Sequence, residues 1–132
     1  MSESIFTKII GGEIPYHKVY EDSKTLAFLD INPTQPGHTL VIPKTEIEQL
    51  WDLPDTDYQA LMAASKKVAN RLKKVLNARW VGVKVIGTDV PHAHIHLIPF
   101  NSAEEYYNRR PASSEPNHEA LAEMAEKLRF SN

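Results

Sequence analysis

Apolar and polar residues recur along this chain on two periods, about 3.6 and 2, and the switches between them mark out its elements. A short helix is expected over residues 4–10, ending at Gly11-Gly12, where glycine readily adopts the left-handed conformation of a helix cap. Strands follow near 17–20 and 25–30, joined by the polar connection Glu21-Asp22-Ser23. The segment Asn32-Pro33-Thr34-Gln35-Pro36-Gly37 is rich in turn formers and cannot continue a ladder, so it reads as a loop, the kind of segment that carries function. A third strand is expected from about 38 to 42, stopped by Pro43.

A long helix comes next. Leu61, Ala64 or Ser65, Val68, Leu72 and Val75 or Leu76 recur at helical spacing, with Asp55 and Asp57 near the start and Lys73 and Lys74 near the end, as the helix dipole prefers. The cluster Lys66, Lys67, Arg71, Lys73 and Lys74 is better read as a solvated helix face than as a phosphate or nucleic-acid patch. A fourth strand near 80–86 sets Val81, Val83 and Val85 against Trp80, Gly82 and Lys84, and a tight connection at Gly87 leads to the apolar run ending at Pro99. Residues 101–116 carry Ser, Pro, Asn and charge and read as a surface segment. Here Tyr106-Tyr107 and Arg109-Arg110 either border a ligand site or pack on the surface, the second being the simpler reading. Residues 117–129 predict a helix with Leu121, Met124 and Leu128 on one side. Five strands in sequential order plus helices predict an α+β domain with a mostly antiparallel sheet.

With 132 residues, 42% of them hydrophobic, the chain makes one domain with a real core. A net charge of −2 gives no general attraction to nucleic acid or to an anionic membrane, so any anion site must be local. The start Met1-Ser2-Glu3-Ser4 lacks a basic n-region, and no run approaches ~20 apolar residues, which leaves secretion and membrane spanning without support. The absence of Cys rules out disulfides and fits a cytoplasmic protein.

Three of the six histidines lie in His92-Ala93-His94-Ile95-His96-Leu97-Ile98-Pro99 on a strict two-residue period. On a strand, that puts the imidazoles of His92, His94 and His96 on one face and Ala93, Ile95 and Leu97 on the other. Such a row has three readings. The imidazoles are solvated groups of a half-exposed strand, or they bind a metal, or they form a catalytic comb in which a central imidazole attacks while its neighbours hold charge and move protons. Adjacent positions on one face are about 7 Å apart, so His-x-His can grip one zinc, but the outer pair lies roughly twice as far apart on a regular strand.

This segment resembles the histidine triad (HIT) family of nucleotide-binding hydrolases, whose signature is His-Φ-His-Φ-His-Φ-Φ with Φ apolar, and His92 to Ile98 matches it in full. The likeness extends to Leu26-Ala27-Phe28-Leu29-Asp30-Ile31-Asn32-Pro33, to Pro36-Gly37-His38-Thr39-Leu40-Val41-Ile42-Pro43-Lys44, to Ile5-Phe6-Thr7-Lys8-Ile9-Ile10 and to Glu13-Ile14-Pro15. The resemblance implies a HIT-like fold with the HIT domain over 1–100 and a carboxyl-terminal segment and helix over 101–132 packed on it, usually as a homodimer with a continuous sheet. It implies His94 as the nucleophile, His96 on the non-bridging phosphate oxygens, His92 toward the leaving group, and His38 holding the nucleophile in the right tautomer. Asp30 corresponds to the ribose-binding acid and Ile5, Phe6, Ile9, Phe28 and Ile31 to an apolar slot for a purine, although Ile and Phe at such spacing are more often core. Backbone amides around Thr88 and Asp89 are candidates to hold the phosphate beside the turn at Gly87.

Three departures qualify the carry-over. Many bacterial relatives carry a structural zinc site made by Cys-x-x-Cys and a later His, whereas the matching positions here are Ser4, Thr7 and Glu46, so no zinc is expected there. The segment Lys84-Val85-Ile86-Gly87-Thr88-Asp89-Val90-Pro91 is shorter than the Gly-rich segment of relatives, and the Tyr-rich tail has no clear counterpart. His at position 96, where nucleotide-transferring branches carry Gln, implies hydrolysis. The expectation is a cofactor-free, metal-independent hydrolase that takes purine nucleotide phosphoramidates and neither nucleic acid nor membrane. Dinucleoside polyphosphate hydrolysis and a non-catalytic nucleotide- or partner-binding module are the alternatives.

Overall fold

The computed structural model describes residues 3–88, 90–107 and 115–130. Five strands, β1 (Lys18–Glu21), β2 (Thr25–Leu29), β3 (Thr39–Pro43), β4 (Trp80–Lys84) and β5 (Ile95–Phe100), form one sheet whose described pairings are all antiparallel. Four α-helices accompany them: α1 (Ile5–Ile10), α2 (Asp55–Leu76), α3 (Ala103–Tyr107) and α4 (His118–Leu128). The architecture is the expected α+β class, a five-stranded antiparallel sheet with one long helix. The spatial order is β1-β2-β3-β5-β4, so the last strand inserts between β3 and β4 and leaves β4 at the edge.

The cause lies in α2. After β3 the chain runs through a 22-residue helix that crosses one face of the sheet, and it returns one strand position beyond the vacant edge of β3. The β4–β5 hairpin then fills the gap. Leu61, Ala64, Ser65, Val68 and Leu72 form the buried stripe of α2, as their spacing predicts, and Asn77 caps its end in the left-handed conformation that Asn tolerates. That stripe meets Val19, Ala27, Leu29, Val41, Ile95 and Leu97 from the sheet, and Ala93 just before β5. Leu121 and Leu128 of α4 join the same core. On the opposite face α1 places Phe6 and Ile9 against Leu26, Phe28, Leu40 and Ile42.

The end of α1 at Gly11-Gly12 is as expected, whereas the start of β5 is not. Gly11 ends α1 with right-handed φ, and Gly12 is the residue that takes positive φ. The histidine run is not one strand: ladder pairing with β3 stops at Val41–Ile95, so His92 and His94 precede β5. Gly37 is required where the loop turns into β3. Its φ is +93°, and a Cβ there would lie 2.5 Å from Leu76 Cδ1. Among the described residues no helix is long and apolar enough to cross a membrane.

Candidate active site

One row of residues crosses the sheet: Lys84 on β4, His96 on β5, Leu40 on β3 and Phe28 on β2 are register partners and share a face. His38, just before β3, reaches this row. Its Nε2 lies 3.0 Å from Nδ1 of His96, while its Nδ1 accepts from the backbone N–H of Thr34 at 3.0 Å. The Thr34 bond settles the tautomers. With Nδ1 accepting, neutral His38 carries its proton on Nε2 and donates to His96 Nδ1, which leaves the His96 proton on Nε2, the atom free to meet a ligand. Burial first, then the nearby charges of His96 and Lys84, push His38 down to about 3. Burial, then His94 and Lys84, lower His96 to about 4. Both rings are therefore neutral at physiological pH.

His94 is positioned separately. Its Nδ1 donates to the backbone carbonyl of His92 at 2.7 Å, which leaves the Nε2 lone pair available. The ring packs edge-on against His96 and Phe6, with centroids 5.0 and 5.1 Å away. It also lines a cleft of about 670 Å³ together with Trp51, Val85, Gly87, Thr88 and Pro91.

The geometry places two of these histidines differently from the roles the resemblance implies. His38 does not touch the nucleophile candidate; it orients His96, and the main chain of His92 sets the tautomer of His94. His92 is turned into the fold, away from solvent. It is fully buried, with Nε2 donating to the carbonyl of Pro43 at 2.8 Å and Nδ1 2.9 Å from the hydroxyl of Ser4. Both ring nitrogens are used inside the fold, and burial lowers its pKa.

Asp30 sits beside His38, with Oδ2 3.6 Å from His38 Nε2 and Oδ1 accepting from the backbone N–H of Asn32 at 2.8 Å. Burial raises its pKa, against the opposing pull of the Asn32 bond, Lys84 and His94. Of the expected purine slot, Phe6, Ile9 and Phe28 are brought together but are buried core. Ile5 stays 47% exposed, and Ile31 lines a groove against α4 with Pro33, Leu121 and Met124. Thr88 borders the cleft, whereas Asp89 and Arg109-Arg110 lie outside the described residues. Tyr106 covers Gly82 and packs on Phe100, and Tyr107 is exposed.

Sequence reasoning missed Lys84 as a site residue. Its charge acts on Asp30, His38 and His96, and the signal was its place in the β4 alternation, which becomes meaningful once β4 pairs with β5.

Two groups of donors invite a metal test. Asp30, His38 and His96 offer ligand atoms within 4.8 Å of one another, but the facing His38 and His96 nitrogens are joined by their own hydrogen bond. Ser4, Thr7, Glu46 and His92 converge in a second cluster, the one for which no zinc is expected. They supply no thiolate, two neutral hydroxyls, one exposed carboxylate already engaged by Ser4 and Thr7, and an imidazole nitrogen whose lone pair accepts a hydrogen bond, so this set does not fit a zinc ion.

The chain belongs to the HIT family: the HIT domain model matches residues 11–103. A protein of Saccharomyces cerevisiae named adenosine 5'-monophosphoramidase is 42% identical over 96 residues, covering 72% of this chain and 61% of that protein. A HIT-like protein from Bartonella henselae superposes with a TM-score of 0.82 at 35% identity, covering 96% of this chain and 95% of that one. A histidine triad protein from Mycobacterium smegmatis, described as zinc-bound, gives a TM-score of 0.79 at 29% identity, with 95% and 89% covered.

Proposed function

We propose that this protein is a metal-independent hydrolase that cleaves the α-phosphate bond of purine nucleoside phosphoramidates through a nucleotidyl-His94 intermediate, releasing AMP or GMP. The observation that carries the reading is the paired tautomers. His94 presents a bare Nε2 at the mouth of a cleft, and beside it the neutral His38–His96 pair ends in an N–H donor. A yeast relative named as a monophosphoramidase supports the same chemistry.

In this mechanism His94 Nε2 attacks the α-phosphorus and the bond from phosphorus to the leaving amine breaks. His96 Nε2–H donates to a non-bridging oxygen as charge develops there, with Lys84 adding a positive charge across the strand pair. His92 is sealed away, so water in the cleft protonates the leaving amine. The hydroxide this leaves, or a water that gives it a proton, then attacks the phosphorus, the bond to Nε2 breaks, and AMP leaves with His94 restored as the neutral Nδ1–H imidazole. Asp30 accepts hydrogen bonds from the ribose hydroxyls.

Lys84 favours one second reading, hydrolysis of dinucleoside polyphosphates, because an ammonium beside the triad suits an anionic leaving group. Assembly belongs to the proposal too. The β4 edge exposes Val83 at 58%, with Val85 just past its end at 43% and Met62 of α2 also exposed, and a two-fold copy paired along β4 would cover Val83.

Turnover of AMP-lysine, adenosine phosphoramidate and diadenosine tetraphosphate, measured side by side, tests the proposal. The phosphoramidates should be preferred, and His94→Ala should lose turnover while still binding AMP. Near wild-type turnover by His94→Ala, or no turnover of any of the three by the native protein, would overturn it.

A further inference from the structure

Residues 92–94 lie beyond the end of the β3–β5 ladder, so backbone pairing with β3 cannot set the position of His94. What holds the segment is a set of contacts to three other parts of the chain. Ala93 N–H donates to the carbonyl of Ile47 at 2.7 Å, His92 Nε2 donates to Pro43, and His92 Nδ1 meets Ser4. Ser4 is the N-cap of α1 and its hydroxyl oxygen accepts from the backbone N–H of Thr7 at 3.0 Å. Glu46 closes the set from outside: one carboxylate oxygen accepts from the Ser4 backbone N–H at 2.7 Å and from the Thr7 hydroxyl.

The donors and acceptors in this cluster account for one another. Because His92 gives its Nε2 proton to Pro43, its Nδ1 accepts the Ser4 hydroxyl proton. Thr7 gives its hydroxyl proton to Glu46, and the Thr7 bond chiefly holds the Glu46 pKa below the usual carboxylate range. From Glu46 the chain of contacts runs through Ser4 and the His92 ring to the His92 carbonyl, which receives the Nδ1 proton of His94.

We propose that Ser4, Thr7 and Glu46 form a hydrogen-bonded clasp, standing where relatives of the zinc-binding kind would place a metal, and that Glu46 is thereby a positioning residue for the nucleophile. It touches no substrate. An exposed surface carboxylate is otherwise expected to be replaceable with little effect. Here its loss releases the start of α1, loosens the His92 ring and lets the His94 tautomer mix.

The turnover arm of the test rests on the proposed hydrolysis, and the spectroscopic arm does not. Glu46→Ala and Thr7→Val should each lower kcat on AMP-lysine by about tenfold to a hundredfold, as small misplacements of a reacting group do, with KM changed less than about threefold. Nitrogen-15 imidazole spectra should show native His94 as the single Nδ1–H tautomer and a mixture in both variants, whether or not any substrate turns over. Unchanged kcat together with an unchanged His94 spectrum in Glu46→Ala and Thr7→Val would overturn the clasp.

Discussion

Acidification should unfold this protein through its own site, and the size of the effect follows from two buried imidazoles. His38 titrates at about 3 and His96 at about 4 in the folded chain, against 6.5 when free. Depressed histidines leave the native state with fewer bound protons than the unfolded state below pH 6.5, so their stabilising effect is complete above 6.5. It declines as the pH falls, until about 4 for His96 and about 3 for His38. At pH 5, about 1.5 units below the free value of an imidazole, keeping each ring neutral costs roughly 2 kcal/mol apiece and roughly 4 for the pair. That is a large share of the ~5–15 kcal/mol of a typical domain. His92 and His17 shift the same way, while Asp30 shifts oppositely and regains some stability in acid. Urea unfolding at pH 7.5, 6.5, 5.5 and 5 reads the slope, and the window sits above the range of the lowered carboxylates Glu21, Asp22 and Glu46. A His38→Gln, His96→Gln double variant should be less stable at pH 7.5 but flatter with pH by about two protons. Equal slopes in the two proteins would refute the assignment of these rings as buried and neutral.

Gly37→Ala should cost roughly 2–5 kcal/mol, from positive φ plus the clash with Leu76, and should displace His38; thermal unfolding and a weakened AMP complex would show it. Val83→Asp should weaken the proposed β4-edge dimer, which sedimentation reads directly; a monomeric native protein with full activity would contradict the dimer. Activity should persist in excess chelator after dialysis, with less than one zinc per chain by elemental analysis, and stoichiometric zinc whose removal abolishes turnover would restore the metal reading.

The parts of this molecule legible in its sequence are those set by periodicity. The α2 stripe and the buried row Ala93, Ile95, Leu97 follow from spacing alone, because one face of each must be apolar. Strand order was not legible at β4 and β5. Strands consecutive in sequence usually neighbour one another, and here β4 does pair with β5, but nothing local says which of the two lies beside β3. The same ambiguity hid Lys84, whose place opposite His96 depends on that register. The period-2 pattern of the histidines was real, yet it cannot distinguish a paired strand from an extended segment held by side chains. His92 therefore looked like a site residue facing a ligand when it is a buried crosslink. Phe6, Ile9 and Phe28 show the reverse case, residues implied to be a base slot that sit in a packed cluster. The partner of His38 was out of reach because it depends on a bond to the backbone of Thr34 in a loop.

The central claim is that His94 Nε2 becomes covalently nucleotidylated. Rapid quenching of the native protein with AMP-lysine, followed by peptide mass analysis, tests it most directly. The account predicts an adenylyl group on the peptide containing His94, stable in base and lost in acid, as a phosphorus–nitrogen bond requires, and absent from His94→Ala. Label on His96 or His92, or burst-free turnover with no labelled peptide under conditions where the second step is slowed, would contradict it.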